Sequence, residues 1–497
     1  MLQGDLSQYR RIGDVTQHAC RALTLASTAA AFGRFAQKLW RHNRVIAGQP
    51  IRETHPELLA EGEIWPGIQA AEFAARRKRL ADALPPGGIA VIPAASRTFM
   101  TGAIPYAYRQ DSDFLYLTGI DQQAVAVIEA SSPMRESSFT LYLPDSDAQD
   151  ATWNGSKMNA EAASDIFGAD DVYPLSEMEQ HLESVVSHAS RVFYDQGSER
   201  MTHPCAPVKL HAAMHVALQQ RRIEPLRSII HPMRWRKSAT ELSLLRQSCA
   251  LSADAIQKCM RSSHPGVSEH QLAARFEYEC KARGASRMAY PSVVAGGKDS
   301  CTIHYLRNNK TVQAGELLLM DAGCELHGYC SDVSRTWPVS GTFDKYQRAL
   351  YEVVLDAHRQ CIEACRVGAK LRDVHHLSVR VLSEGLCQLG IFPGLDASSI
   401  AHNSYRMVYP HSVGHWLGMD THDTCGITHD QPMQEGVVLT IEPGLYIPDE
   451  PEAFGPFAGI GMRIEDDVAV TLGGPEVLSA GVPVDAHEVE RIVQGKD

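Results

Sequence analysis

No apolar run in this chain approaches the roughly 18 residues that a membrane-spanning helix needs, so a soluble protein without a membrane span is the expectation. Positive charge is not in surplus either. The 47 Lys and Arg stand against 59 Asp and Glu, for a net charge of −12, the wrong sign for a protein that follows a phosphate backbone. No nucleic-acid partner is therefore expected. None of the twelve cysteines forms a C-x-x-C pair, so zinc-thiolate clusters are not indicated. Their scatter suits free thiols in a reducing compartment better than a secreted disulfide frame. Internal repeats and low-complexity tracts are also absent, which excludes solenoid architectures.

The chain has 497 residues, 44% of them hydrophobic and 21% charged. That is ordinary globular composition in a chain too long for one comfortable core. Residues 1–50 form a basic segment, with Arg10, Arg11, Arg21, Arg34, Lys38, Arg41 and Arg44 against only Asp5 and Asp14. This composition is like that of an organelle-targeting segment and points to mitochondria. A basic arm on a cytoplasmic protein is the alternative. Residues 51–228 alternate helix and strand patterns: a helix in AAEFAARRKRLADAL, then β-rich runs GIAVIPA, FLYLTGI, AVAVIEA and FTLYLP. That alternation predicts a layered α/β domain. The stretch EPLRSIIHP reads as a linker. Residues 229–497 carry long helical patterns, beginning with TELSLLRQSCALSADAIQKCM, and strand-like runs kept apart from them, hence an α+β domain.

Charged residues interrupt those strand runs. In LLLMDAGCELHGYCSDVSRTWP, Asp321 follows four apolar residues, and Asp332 lies in a second strand-like run. A hairpin turning near Leu326–Gly328 would pair residues whose numbers sum to about 653, which sets the two aspartates opposite each other. Like charges so placed destabilise a sheet unless a cation neutralises them. Glu442 ends VVLTIE before Pro-Gly, and Glu465 sits in GMRIEDDVAV with Arg463 on the same strand face. Between the strand pairs, HSVGHWLGMDTHD holds His411, His415 and His422. Four carboxylates and one imidazole form a hard, oxygen-rich donor set suited to Mn²⁺, Co²⁺ or Fe²⁺, with Zn²⁺ as an alternative, and large enough for two ions.

The motifs D-A-G at Asp321, S-D-V-S-R-T at Asp332, H-x-x-x-H-x-L-G-x-D-x-H-D from His411 to Asp423, I-E-P-G-L-Y at Glu442 and R-I-E-D-D at Glu465 resemble those of metallopeptidases with the pita-bread, or creatinase-like, fold. Within that group the chain most resembles Xaa-Pro aminopeptidases of the mitochondrial, intermediate-cleaving type. The likeness extends to RQDSDFLYLTGI in the amino-terminal half. The resemblance implies an aminopeptidase P type α/β domain followed by a pita-bread catalytic domain. It implies Asp321, Asp332, His415, Glu442 and Glu465 as ligands of two divalent ions, most simply Mn²⁺, with Asp332 and Glu465 bridging. It further implies release of the N-terminal residue, preferring Xaa-Pro, by metal-hydroxide attack on the scissile carbonyl. Glu442 would carry the proton, His422 would face the oxyanion, His304 and His411 would border the substrate, and Arg463 and Tyr446 would orient the ligands. The family's homodimer is expected by the same likeness, with peptide or protein N-termini, including imported mitochondrial proteins, as substrates. One departure stands out: Lys157 occupies TWNGSKMNAE, where the family usually has arginine. The two are not equivalent in a bidentate contact, which bears on substrate preference past the second residue. Competing readings are a prolidase, confined to Xaa-Pro dipeptides, and a pita-bread binding module without catalysis, which would lack several ligands.

Overall fold

A computed structural model describes residues 45–131, 136–145, 148–195, 208–220 and 222–495. Residues 1–44 of the basic segment therefore lie outside the described residues. The chain divides into two compact units. One comprises the described parts of Met1–Leu58, Leu84–Val192 and Glu199–Ile223, the other Leu59–Ala83, Phe193–Ser198 and Glu224–Asp497. Leu59–Ala83 is grouped with the second unit. Its helix Ala70–Ala83 reaches the rest of that unit through Arg76, which lies 3.5 Å from Glu241.

The first unit is built on a mixed six-stranded sheet in the order Ile223–Glu224, Arg191–Phe193, Gly88–Pro93, Val125–Glu129, Ser138–Leu143, Asp171–Pro174. Its central strands are almost wholly buried, including Ala90, Val91, Val127 and Leu141, which explains why they read as continuous apolar runs rather than alternating ones. FLYLTGI is not a strand. Ser112–Thr118 is a helix, capped by the Asp111 side chain, which accepts from Phe114 N, and closed by Gly119 in the left-handed conformation at φ 69°. The two caps satisfy orphan backbone groups and override the β propensity of the residues between them.

In the second unit, the helix Ala239–Arg261 starts from a capping box in which Ser238 accepts from Glu241 N and the Glu241 side chain accepts from Ser238 N. Glu269–Lys281 follows, stopping short of Gly284. Asp344 caps Lys345–Ala364, which precedes Leu371–Gln388. The strands form small antiparallel sheets beside these helices. Leu317–Ala322 lies between Val293–Gly296 and Val333–Pro338; Val438–Ile441 pairs with Asp466–Thr471, and Gly444–Tyr446 with Gly461–Arg463. Leu318, Met320, Trp337, Tyr351, Leu445 and Met462 are fully buried in one apolar core between helices and sheets.

The expected hairpin exists with a different register. Asp321 pairs with Ser334, and Leu326 with Tyr329, so paired numbers sum to 655 and Asp332 is not opposite Asp321. The turn is made tight by His327 at φ 50° and Gly328 at φ 80°, successive left-handed residues of the kind favoured in two-residue hairpin loops. A two-residue slip keeps every side chain on its original face, so Asp321 and Asp332 become diagonal rather than direct neighbours. The expected linker is also structured. Arg227–Trp235 is a helix despite Pro232 within it, and it buries Ile230, His231, Arg234 and Trp235.

Replacing Ser238 by Ala removes the bond to Glu241 N at 3.2 Å and the one to Glu72 Oε1 at 2.7 Å. The expected loss is about 1 kcal/mol, read as a lower denaturation midpoint in urea with the slope unchanged. An unaltered midpoint would show that the cap does not hold this helix.

Candidate active site

The strand pairs of the second unit bring five acceptor-bearing side chains toward one region. Asp321 lies near the end of Leu317–Ala322, and Asp332 in the gap between Tyr329–Cys330 and Val333–Pro338. Across from that gap lies Gly323, where a Cβ would overlap the Ser331 carbonyl. Only glycine permits so close a backbone approach. The Asp332 amide is anchored by Asp467 Oδ2 at 3.0 Å. Glu442 follows Val438–Ile441, its amide bound to Val413 O at 2.8 Å. Glu465 sits between Gly461–Arg463 and Asp466–Thr471, its amide bound to Ser334 O at 3.0 Å.

Carboxylate and imidazole atoms of Asp332, His415 and Glu465 lie within 4.8 Å of one another. Asp321 joins through Tyr290, whose hydroxyl is 2.6 Å from Asp321 Oδ1 and also bonds Asp332 Oδ1. Glu442 Oε1 is 3.6 Å from His415 Nε2, which is 3.4 Å from Asp332 Oδ2. His415 Nδ1 faces the Trp416 carbonyl at 3.2 Å. A carbonyl can only accept, so Nδ1 carries a proton and Nε2 is the nitrogen turned toward the carboxylates, the atom that would ligate a cation on giving up its own proton.

Arg463 is the cation that braces the cluster. It is buried, and its guanidinium donates to Asp321 Oδ2 at 2.5 Å, Ser334 Oγ at 2.9 Å and Tyr446 Oη at 2.7 Å. Ser334 passes its own proton to Glu465 Oε2 at 2.6 Å. Tyr446, having accepted from Arg463, donates to His411 Nε2 at 2.9 Å, while His411 Nδ1 donates to Ser412 O at 2.7 Å. The chain of donors runs in one direction and fixes the His411 tautomer. His422 is exposed, with its ring 4.4 Å from that of His415. His304 is exposed, and its charge is felt by both His411 and His422.

The electrostatics match a site short of positive charge. Burial pushes the Glu465 carboxyl well above its usual range, with Asp332, Glu442 and Asp321 adding to the rise. Burial also raises Asp321, against the pull of Arg463. Burial carries Glu442 up to about 7, although His415 and Arg463 oppose it. For His415, burial favours the neutral ring, but the Asp332 contact and the Glu442 charge win and carry it up to about 9. His411 is pushed down to about 3, mainly by burial and then by the Arg463 charge. In each carboxyl the charged form is disfavoured, and a divalent cation would reverse that. The donor set fits such a cation: one guanidinium faces four carboxylates, and the single Tyr290 proton can satisfy only one of its two aspartates at a time. Tyr290, in MAYPSVV, was not foreseen from sequence, since its role depends on a fold that carries it from the loop beside Arg287–Met288 to the hairpin.

Fold and donor set together define a metal-dependent hydrolase with a pita-bread catalytic domain. The sequence profile of metallopeptidase family M24 matches residues 243–472, and that of the aminopeptidase P N-terminal domain matches residues 73–194. The chain is 39% identical over 449 residues to the mitochondrial intermediate cleaving peptidase 55 of Arabidopsis thaliana, covering 90% of this chain and 87% of that protein. It is 36% identical to Xaa-Pro aminopeptidase 3 of Homo sapiens, over 90% of this chain and 91% of that one. Among solved structures it is similar to proline aminopeptidase P II from Yersinia pestis, with TM-score 0.81, 33% identity and coverage of 86% and 100%. Zn-substituted Escherichia coli aminopeptidase P in complex with product gives TM-score 0.80 and 32% identity, covering 86% and 99%. The chain belongs to metallopeptidase family M24, as a metalloaminopeptidase of the Xaa-Pro aminopeptidase type.

Removing the bridging hydroxyl by Tyr290→Phe is expected to weaken divalent-cation affinity about tenfold, measured by competition with a fluorescent chelator; unchanged affinity would deny it a role in the cluster. The pH dependence of the metal-free protein gives a second check. Because the folded pKa of Glu442, about 7, lies above the usual 4.5, its contribution to stability is complete below about 4.5 and is lost as pH rises through 7. Metal-free wild type should therefore lose stability relative to metal-free Glu442→Gln between pH 4.5 and 7. Parallel curves would contradict this.

Proposed function

We propose that Asp321, Asp332, His415, Glu442 and Glu465 hold two divalent cations, most simply Mn²⁺, and that this centre removes a single N-terminal residue from peptides, with preference for Xaa-Pro. The observation that carries the reading is the approach of Asp332, His415 and Glu465 ligand atoms to within 4.8 Å of one another, with Asp321 and Glu442 tied to them through Tyr290 and His415. Bound cations would supply an activated water at neutral pH and polarise the scissile carbonyl.

The chain's own residues supply the rest. Glu442 takes a proton at Oε and returns it to the leaving amine, a role suited to a carboxyl raised toward neutrality. His422, exposed beside His415, donates to the oxygen on which charge develops. His411, held neutral by burial, and His304 border the substrate backbone and the proline ring. Arg463 and Tyr446 keep Asp321 and His411 in place through the bonds at 2.5, 2.7 and 2.9 Å. The bond before proline has no N–H and restricted torsions, so a pocket shaped to it favours Xaa-Pro.

Two wider features belong to the same reading. The basic composition of residues 1–50 and likeness to a protein named as mitochondrial support action in mitochondria, on N-termini of imported proteins among other peptides. A homodimer is carried over from the family. No helix among the described residues is long and apolar enough to cross a membrane.

Hydrolysis of Xaa-Pro-Yaa, Xaa-Ala-Yaa and the dipeptide Xaa-Pro tests the function. Turnover of the tripeptides, Xaa-Pro-Yaa the faster, lost on chelation and restored by Mn²⁺, is expected; turnover of the dipeptide alone would indicate a prolidase. Glu442→Ala should lower kcat by at least about 100-fold, and undiminished kcat would remove Glu442 from the proton path.

A further inference from the structure

His422 stands on the segment Met419–Ile427, and that segment is locally unfavourable. Thr424, two residues on, has φ 43°, a left-handed conformation that a β-branched residue rarely adopts. It is buried, and its hydroxyl finds no hydrogen-bond partner among the described residues. Backbone strain of this kind persists only where neighbouring structure over-determines it, and it concentrates at functional sites.

What determines it here is the helix that reads from sequence as a linker. Arg234, near the end of Arg227–Trp235, donates to Asp420 Oδ2 at 2.8 Å and to Asp423 Oδ1 at 2.5 Å. Lys237 donates to the other Asp423 oxygen at 3.1 Å. Arg234, Lys237 and Asp423 are all buried, so the ion pairs are shielded from solvent screening, and loss of one partner strands a charge. Close approach is permitted by Gly418, where a Cβ would overlap the Asp423 carboxylate and come within 2.9 Å of Lys237 Cε. The far end of the segment is tied to the same helix, since Gly426 N donates to His231 Nδ1 at 3.1 Å. Asp423 is thus gripped from two sides immediately after His422, and Asp420 two residues before it.

We propose that Arg234 and Lys237 are positioning residues for His422: their clamp on Asp423 and Asp420 holds a strained turn that presents the His422 imidazole beside His415. The inference rests on the role given to His422 above and goes beyond it, because neither cation belongs to the five proposed ligands or to the substrate-bordering histidines.

The test is a double-mutant cycle on the Mn²⁺-loaded full chain with an Xaa-Pro-Yaa substrate. Arg234→Met is expected to lower kcat about tenfold with KM within about twofold, and Arg234→Lys to recover most of that loss. In a His422→Ala background the same Arg234→Met change should cost less than about twofold, because both substitutions remove one function. Metal bound per chain should be unchanged, and amide exchange across Met419–Ile427 should accelerate in Arg234→Met. An equal loss of kcat in both backgrounds would overturn the clamp while leaving the role of His422 intact. If His422→Ala by itself left kcat unchanged, the oxyanion role would fail first and the clamp with it.

Discussion

Mutual repulsion among buried carboxylates is the constraint around which the second unit is organised. Asp332 and Glu465 are almost wholly shielded from water, and Asp321 and Glu442 are half-buried beside them. Two like charges about 4 Å apart at a partly screened site repel by about 4 kcal/mol. One guanidinium, Arg463, cannot offset four such groups, and the raised carboxyls of Glu465, Asp321 and Glu442 express the shortfall. A protein whose only purpose was stability would replace them with apolar residues. Their retention makes sense where cations supply the missing charge.

Holding such groups together requires a stiff frame, and the strands supply it through backbone rather than side-chain packing. Three of the four acids are fastened by their own amides: Asp332 to the Asp467 carboxylate, Glu442 to Val413 O, Glu465 to Ser334 O. Glycines at 323 and 414 let strands approach where any Cβ would collide with the Ser331 or Thr440 carbonyl. Ser334 accepts from Arg463 and donates to Glu465, so one hydroxyl orients both a brace and an acid. Trp337, Leu445 and Met462 belong to the apolar core that packs with these strands.

Much of this was readable in the chain. Interrupted strands betray their acids because Asp and Glu are poor strand residues, and the motifs around Asp321, Asp332, His415, Glu442 and Glu465 are specific enough to suggest one family. Other features needed the fold. The hairpin register is displaced by two residues because the turn centres on His327–Gly328; a two-residue slip leaves every side chain on its own face, so no alternation pattern could decide it. FLYLTGI looks like a strand by composition, yet Asp111 and Gly119 cap it as a helix; the caps were the signal. EPLRSIIHP was misleading because its prolines suggest a linker, whereas Arg234 and Lys237 just beyond anchor the His422 segment. Tyr290 carries no local signature, and only the fold shows its hydroxyl between Asp321 and Asp332.

Two cations held by these five side chains would be directly visible. Crystals of the full chain grown with Mn²⁺ and measured at the manganese absorption edge should show two anomalous peaks per chain, each within bonding distance of oxygens or the imidazole nitrogen of Asp321, Asp332, His415, Glu442 and Glu465. Peaks elsewhere, or any of those five side chains turned away from both, would contradict the account.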